Sequence, residues 1–162
     1  MPTTYEPIAT TTLGSAAASY TFSSIPATYT DLVVVSFLQS ASTNDSAVMQ
    51  FNGAAGTAYS WTQLTGNGTA ASSQRSSNTS SARFGNDIPS TNYATVITQI
   101  QNYSNSTTNK TLISRSNNAA AAVYSHVAMW RSTAAINEIK IITQAGNIQT
   151  GSTFTLYGIL KA

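Results

Sequence analysis

The apolar residues of this chain occur in short, β-branched runs that are separated by Ser, Thr, Asn and Gly, and helical spacing is nearly absent. Runs of this kind are typical of β-strands joined by turns. In Glu138-Ile139-Lys140-Ile141 the apolar residues alternate with charged ones, which predicts one buried and one solvated face. The run Val33-Val34-Val35 is continuous, which predicts a central strand covered on both faces. The chain is therefore expected to be an all-β protein.

Turn residues such as Asn52-Gly53 and Gly146-Asn147 mark the ends of the apolar runs. Eight or nine strands with such turns predict a two-sheet antiparallel sandwich or a barrel. The residues before the last run predict a tight hairpin or bulged turn there. The predicted strands are Ile8–Leu13, Tyr20–Ile25, Leu32–Gln39, Ala47–Phe51, Ala94–Tyr103, Lys110–Ser114, Val123–Trp130, Glu138–Thr143 and Thr153–Leu160.

The length of 162 residues fits one domain. We expect residues 1–18 to form an N-terminal arm and first strand, and residues 19–162 to form the sandwich. Residues 65–90 hold almost no large apolar residue except Phe84 and Ile88, and they are too many for an ordinary hairpin loop. This segment is interpreted as a long polar loop, either a flexible excursion or a loop ordered by a neighbouring subunit.

Charge is scarce in this chain. Charged residues make up 7% of it, against about 25% in an average globular domain. The seven Lys and Arg residues are scattered along the sequence, which argues against a nucleic-acid partner. The absence of cysteine excludes a disulfide scaffold and a thiolate zinc site. The N-terminus lacks the features of a signal peptide and no apolar stretch is long enough to span a bilayer, so we expect no membrane partner.

The single histidine, His126, lies in an apolar run where alternation places it on one face with Tyr124 and Ala128. It could be a general base or metal ligand. The structural interpretation, a sheet-face histidine bonded to a backbone carbonyl or water, is favoured because no second histidine exists to build a metal site. Asp31 and Asp45 occupy turn positions where carboxylates bond local backbone amides.

The five carboxylates show no informative spacing, so nothing indicates the paired acids that a glycosidase needs. We therefore expect no enzymatic activity, no metal and no cofactor. Aromatic residues are the best candidates for recognition, because Tyr and Trp are enriched at interfaces. The alternative is that most of them fill the core or its rim. They are Tyr5, Tyr20, Tyr29, Tyr59, Trp61, Tyr93, Tyr103, Tyr124, Trp130 and Tyr157.

Two stretches carry a resemblance to a known class of proteins. The first is 25–35, followed by Met49-Gln50-Phe51-Asn52-Gly53 and Tyr59-Ser60. The second is 136–141, followed by Gly146-Asn147-Ile148 and 151–159. With these stretches the chain resembles small β-rich structural proteins of tailed-bacteriophage virions, a class that includes capsid decoration (cement) proteins, head fibres and tail-fibre or receptor-binding tips. The resemblance implies a sandwich of jelly-roll type that often forms trimers.

The resemblance implies a non-enzymatic capsid decoration protein that binds the major capsid protein on the capsid exterior, stabilises the shell and forms a homotrimer. The arm and the polar loop would supply the contacts with capsid and neighbouring subunits. The candidate interface residues are Met1, Pro2, Tyr5, Pro7, Ile8, Arg75, Arg83 and Phe84. The alternative is a tip module on the tail, whose exposed Tyr and Trp stack on host glycans.

Overall fold

Two antiparallel sheets packed face to face contain every strand of the described chain. The structure is a computed structural model, and it describes residues 4–118 and 120–160. These residues form twelve strands and no helix, so none of them belongs to a helix that could span a bilayer. The strands are β1 (Tyr5–Thr12), β2 (Ser19–Phe22), β3 (Asp31–Leu38), β4 (Asp45–Phe51), β5 (Tyr59–Gly66), β6 (Ala71–Thr79), β7 (Ala82–Ile88), β8 (Ala94–Gln101), β9 (Lys110–Asn118), β10 (Ala122–Trp130), β11 (Ile139–Thr143) and β12 (Thr153–Ile159).

The larger sheet has eight strands in the order β1-β12-β3-β8-β9-β10-β5-β6, and the smaller has four in the order β2-β11-β4-β7. The core lies between their facing sides, where alternate residues such as Phe154 and Leu156 of β12 meet Met49 and Ile141 of the smaller sheet in one apolar cluster. The predicted two-sheet antiparallel sandwich is confirmed, with a jelly-roll-like arrangement. Twelve described strands replace the expected eight or nine.

The prediction of a long polar loop at residues 65–90 is wrong. This segment contains the end of β5 and all of β6 and β7. Apart from Ala71, β6 is polar throughout, and most of its side chains are exposed, so hydrophobic periodicity could not reveal it. The alternation of β7 is interrupted by register shifts against β4 and by the positive φ of Asp87. Backbone pairing, rather than burial, defines the strand at β6.

The first strand expected within residues 1–18 is present as β1, but the boundary that placed the sandwich at residues 19–162 is wrong for the part that the structure describes. β1 pairs with β12 of the same chain, from Tyr5 opposite Ile159 to Thr12 opposite Thr153. The sandwich therefore begins before residue 19. Of the tight hairpin or bulged turn expected before the last strand, the hairpin is wrong, because β11 and β12 belong to different sheets and the connection between them crosses from one sheet to the other.

The two stretches that carry the phage resemblance build a corner of the fold. The ring of Tyr29 lies against Gly158, where an added Cβ would come within 2.3 Å of the ring. The hydroxyl of Tyr103 donates to the carbonyl of Pro26 and accepts from the backbone N–H of Tyr29. We infer that these contacts define the chain's path between β2 and β3.

Candidate binding surface

The outer face of the eight-stranded sheet, which points away from the smaller sheet, carries exposed aliphatic side chains. Leu64, Ile113, Val123 and Val127 are 59%, 38%, 61% and 51% exposed, and together they are called the apolar strip below. They lie on the neighbouring strands β5, β9 and β10, with Val127 directly opposite Ile113. Exposed apolar clusters are candidate interaction surfaces in folded proteins.

The outer face of the eight-stranded sheet has a concave region beside the apolar strip. A cavity of about 660 Å³, called the outer hollow, is lined by Leu64, Ile97 and Val123 together with the polar side chains of Arg115 and Asn117. A second hollow of about 270 Å³ continues along β5, β6 and β10 past Val127. The larger volume lies within the usual range of ligand pockets. This face can therefore receive protruding groups of a partner.

An exposed aromatic pair borders the outer hollow. The rings of Phe37 and Tyr93 stack with centroids 4.6 Å apart and an angle of 13° between their planes. The hydroxyl of Tyr93 donates to the carbonyl of Thr150 at 3.0 Å, which holds the ring in place. Phe37 lies opposite Thr95, which lines the hollow, so the pair stands at its rim.

His126 lies on the inner side of the sheet, on the face predicted from alternation, and is fully buried. Its Nε2 is 3.1 Å from Oε1 of Gln63, whose Nε2 donates to Oγ1 of Thr65 at 2.9 Å. The partner is therefore a side-chain amide rather than the expected backbone carbonyl or water. Burial, together with the positive charge of Arg83, lowers the pKa of His126 to about 4. At neutral pH the ring is neutral and packs inside the sandwich.

Arg83 lies at the open edge between the sheets. Its guanidinium stands 4.4 Å from the ring centroid of Trp61, and its Nη atoms donate to the amide oxygens of Asn86 at 3.3 Å and Gln144 at 3.2 Å. Burial lowers the pKa of this guanidinium. The contacts orient Arg83 toward a shallow hollow of about 320 Å³ rather than toward the apolar strip.

The carboxylates have structural partners. Asp45 is buried and accepts five hydrogen bonds, from Oγ of Ser40 and from the backbone N–H groups of Ser46, Gln144, Ala145 and Gly146. The sequence predicted that Asp45 bonds backbone amides close to it in the chain. Among the four amides, only that of Ser46 is such a neighbour, because the other three come from a loop far along the chain.

Three other carboxylates also serve the fold. Asp31 accepts from the backbone N–H of Asn102 at 2.6 Å, so the expected local partner is wrong there. Glu6 accepts from the hydroxyl of Tyr29 at 3.2 Å. Asp87 accepts from the hydroxyl of Tyr124, and burial followed by this contact raises the pKa of Tyr124 to about 12. Within residues 4–118 and 120–160, no three His, Asp or Glu side chains come together as metal ligands.

The predicted interface residues do not form one surface. Tyr5 and Pro7 are exposed on β1 with Ile8 partly buried beside them, while Arg75 is exposed on β6 at the opposite edge of the same sheet. Arg83 is half-buried at the edge between the sheets. Met1 and Pro2 lie outside the described residues.

Phe84 must be removed from the predicted interface. Its side chain is fully buried in the core cluster and cannot contact a partner of the folded chain.

The sequence prediction missed the apolar strip, although a signal for it was present. In β10 the inner residues Tyr124 and Ala128 alternate with the outer residues Val123 and Val127, so both faces of this strand are partly apolar. A sandwich can bury only one of these faces against its second sheet. The other face therefore had to be solvent-exposed or covered by a partner.

Comparison with known proteins gives weak structural likenesses only. No protein-family model and no curated protein sequence matches the chain. The galectin LEC-6 of Caenorhabditis elegans has 7% identity and a TM-score of 0.38, with 94% of this chain and 96% of the galectin covered. The alginate lyase Aly36B has 10% identity and a TM-score of 0.31, with coverage of 94% and 81%. The protein of unknown function SO2946 of Shewanella oneidensis MR-1 has 12% identity and a TM-score of 0.22, with coverage of 98% and 72%. Likenesses of this degree carry no inference about function.

Proposed function

We propose that the chain is a non-enzymatic structural protein of a tailed-bacteriophage virion, a decoration protein that binds the major capsid protein on the capsid exterior. The observation that supports this proposal is the apolar strip. Four exposed aliphatic side chains on three adjacent strands offer a partner apolar contacts, and the outer hollow beside them can receive a protruding side chain. Polar groups such as Arg115 at its margin match the polar rim of protein interfaces.

Binding of this kind would reinforce a shell by mass action, because a partner that binds only the folded, assembled state stabilises that state. The low content of charge is compatible with a docking surface whose contacts are mainly apolar and neutral polar. A homotrimer is what the phage resemblance implies. The two-fold pairing of β6 proposed below is a different arrangement, and sedimentation equilibrium distinguishes the two.

Replacing Leu64, Val123 and Val127 together by Ser should lower the affinity of the purified chain for empty capsids about 100-fold. The estimate follows from loss of roughly 1 kcal/mol of apolar burial at each position. Co-sedimentation with capsids of the phage that encodes the chain measures the affinity, and thermal unfolding verifies that the variant is folded.

Ile142→Ser is the matched control, because Ile142 lies on β11, in the smaller sheet, and points away from the core. This variant should bind capsids like the unchanged protein. Unchanged capsid occupancy by the folded triple variant would refute the role of the strip, and equal losses in both variants would show that the effect is not specific to it.

The alternative function is recognition of host glycans by a tail tip, and the exposed stack of Phe37 and Tyr93 supports it. Aromatic faces bind apolar faces of sugars, and the adjacent hollow offers the polar groups of Arg115 and Asn117 for hydroxyl groups.

Phe37→Ser separates the two functions. If the chain binds host glycans, this variant should bind host cells or their polysaccharide about fivefold more weakly, since a stacking contact of this kind contributes roughly 1 kcal/mol. Under the decoration proposal the unchanged chain should bind capsids and should not bind host cells. Direct binding measurements on both targets distinguish these outcomes.

A further inference from the structure

Each sheet ends in two edge strands, and three of the four described edges carry features that hinder pairing with another strand. β1 contains Pro7 and a register shift between Pro7 and Ala9. β2 is only four residues long. β7 has two register shifts against β4, and Asp87 has a φ of 49°.

β6 is the fourth edge and lacks these features over most of its length. It has nine residues, no proline and a single charge, on Arg75. Its register with β5 is regular from Ala71 to Ser77 and shifts only beyond, near Asn78, whose φ is 58°. Residues 71–77 therefore present a regular row of backbone donors and acceptors on the side that faces away from β5.

The exposure of β6 gives a reason to expect a further neighbour. Of its nine side chains only those of Ser76 and Thr79 are partly buried, so the strand gains little from the hydrophobic core. It is ordered by one ladder of hydrogen bonds, to β5. A second ladder on the open side would offset the conformational entropy that ordering such a strand costs.

We propose that β6 pairs with β6 of a second copy of this chain, antiparallel and around a two-fold axis, so that two eight-stranded sheets become one. The other edge of the same sheet, β1, is hindered by Pro7, which disfavours head-to-tail pairing of β6 with β1. The side chains of β6 are small or neutral except for Arg75, so a second copy of the strand meets little steric or electrostatic hindrance.

The register of this pairing follows from the pattern of β6. Opposed residues in an antiparallel pair point to the same face of the sheet. One residue of β6 must therefore lie opposite the same residue of the second copy, with the two-fold axis between them. An axis at Arg75 would place two like charges opposite each other, which destabilises a pair. An axis at Ser76 would use the irregular end at Asn78 and Thr79. An axis at Gln74 uses the whole regular segment 71–77.

With Gln74 on the axis, Ser72 of one copy lies opposite Ser76 of the other, and Ser73 lies opposite Arg75. Because the chain has no cysteine, introduced cysteines report these neighbours directly. Gln74→Cys should form a covalent dimer on mild oxidation. Ser72→Cys should not, because the two introduced thiols would be four residues apart, roughly 13 Å along the strands. The double variant Ser72→Cys/Ser76→Cys should crosslink again.

Charge substitutions test the same register without crosslinking. With Ser73→Lys, the new lysine of each copy lies opposite Arg75 of the other copy, so the dimer contains two such like-charge pairs. This variant should raise the dimer dissociation constant about tenfold. Ser77→Lys adds the same charge on the same face, opposite Ala71, and should leave it nearly unchanged.

Sedimentation equilibrium of the full chain measures both variants, with the unchanged protein expected to approach twice its 17.0 kDa mass as concentration rises. The proposal would be overturned if the unchanged protein were a monomer at all concentrations or a trimer. It would also be overturned if Gln74→Cys and Ser72→Cys crosslinked equally, or if the two lysine substitutions had equal effects on the dissociation constant. The inference does not depend on the proposed virion function, since all its measurements use the isolated protein.

Discussion

Asp45→Ala should lower the free energy of unfolding by about 4 kcal/mol, which is at the upper end of the losses that single substitutions cause. The buried carboxylate accepts five hydrogen bonds, three of them from consecutive backbone amides of the loop at 144–146. Without it, these donors lose their shared acceptor, although the N–H of Gln144 still donates to the carbonyl of Ser46 at 3.0 Å. Because native domains are stable by about 5–15 kcal/mol, such a loss is measurable by denaturant titration and threatens folding at 37 °C.

Asp31→Ala is the matched control for this prediction. Asp31 is partly exposed, and it accepts a single hydrogen bond, from the backbone of Asn102. Its removal should cost about 1 kcal/mol. If the two substitutions have equal effects, Asp45 does not organise the loop as described. Asp45→Asn should also be strongly destabilising, since it keeps the shape of the side chain but loses its charge and half of its acceptors.

Stability should fall as the pH drops from 6.5 toward 4, by a total on the order of 3 kcal/mol. His126 has a folded-state pKa of about 4, lowered by burial and by the charge of Arg83, against an ordinary value of 6.5 in the unfolded chain. Between these values the unfolded chain binds a proton that the folded chain does not, so acid favours unfolding. The stabilisation is fully present above pH 6.5 and is lost progressively toward pH 4.

The window between pH 5 and 6.5 isolates this effect, because His126 is the only histidine and carboxyl groups ordinarily titrate lower. Denaturant titrations across this window should show a positive slope of unfolding free energy with pH. The double variant His126→Leu/Gln63→Leu removes both members of the buried pair and should remove the slope, whatever its absolute stability. A slope that survives in the folded variant would assign the pH dependence to another group.

Sequence periodicity predicted the fold wherever a strand buries one face. β11 and β12 alternate apolar residues with polar ones because one side meets the opposite sheet, and both were predicted from that alternation. β6 could not be found in this way, since its side chains are polar and mostly exposed and its partner is the backbone of β5. β7 was missed because its register shifts interrupt the alternation.

The candidate site was less accessible from sequence than the fold. Interface residues were predicted in the N-terminal arm and in the supposed loop, because those segments looked free to reach a neighbour. Phe84 illustrates the error, since a large apolar residue in a polar segment proved to be the part of β7 that enters the core. The apolar strip depends on three strands meeting in register, which no single run of sequence shows.

The scarcity of charge also has a structural counterpart. Ser114 and Gln63 occupy buried positions that neutral hydrogen bonds satisfy, with Oγ of Ser114 donating to the carbonyl of Phe84 at 2.6 Å. Neutral polar groups of this kind can be buried at lower cost than charges. The same small neutral residues leave β6 with a single charge, on Arg75, whereas charges ordinarily help to keep edge strands apart.

Cryo-microscopy of the virion to which the proposed function assigns this chain tests that function most directly. We expect density for the sandwich on the capsid exterior, with Leu64, Val123 and Val127 of the outer sheet face against the major capsid protein. Density for the chain at the tail, its absence from the particle, or an apolar strip that faces solvent on the assembled shell would contradict it.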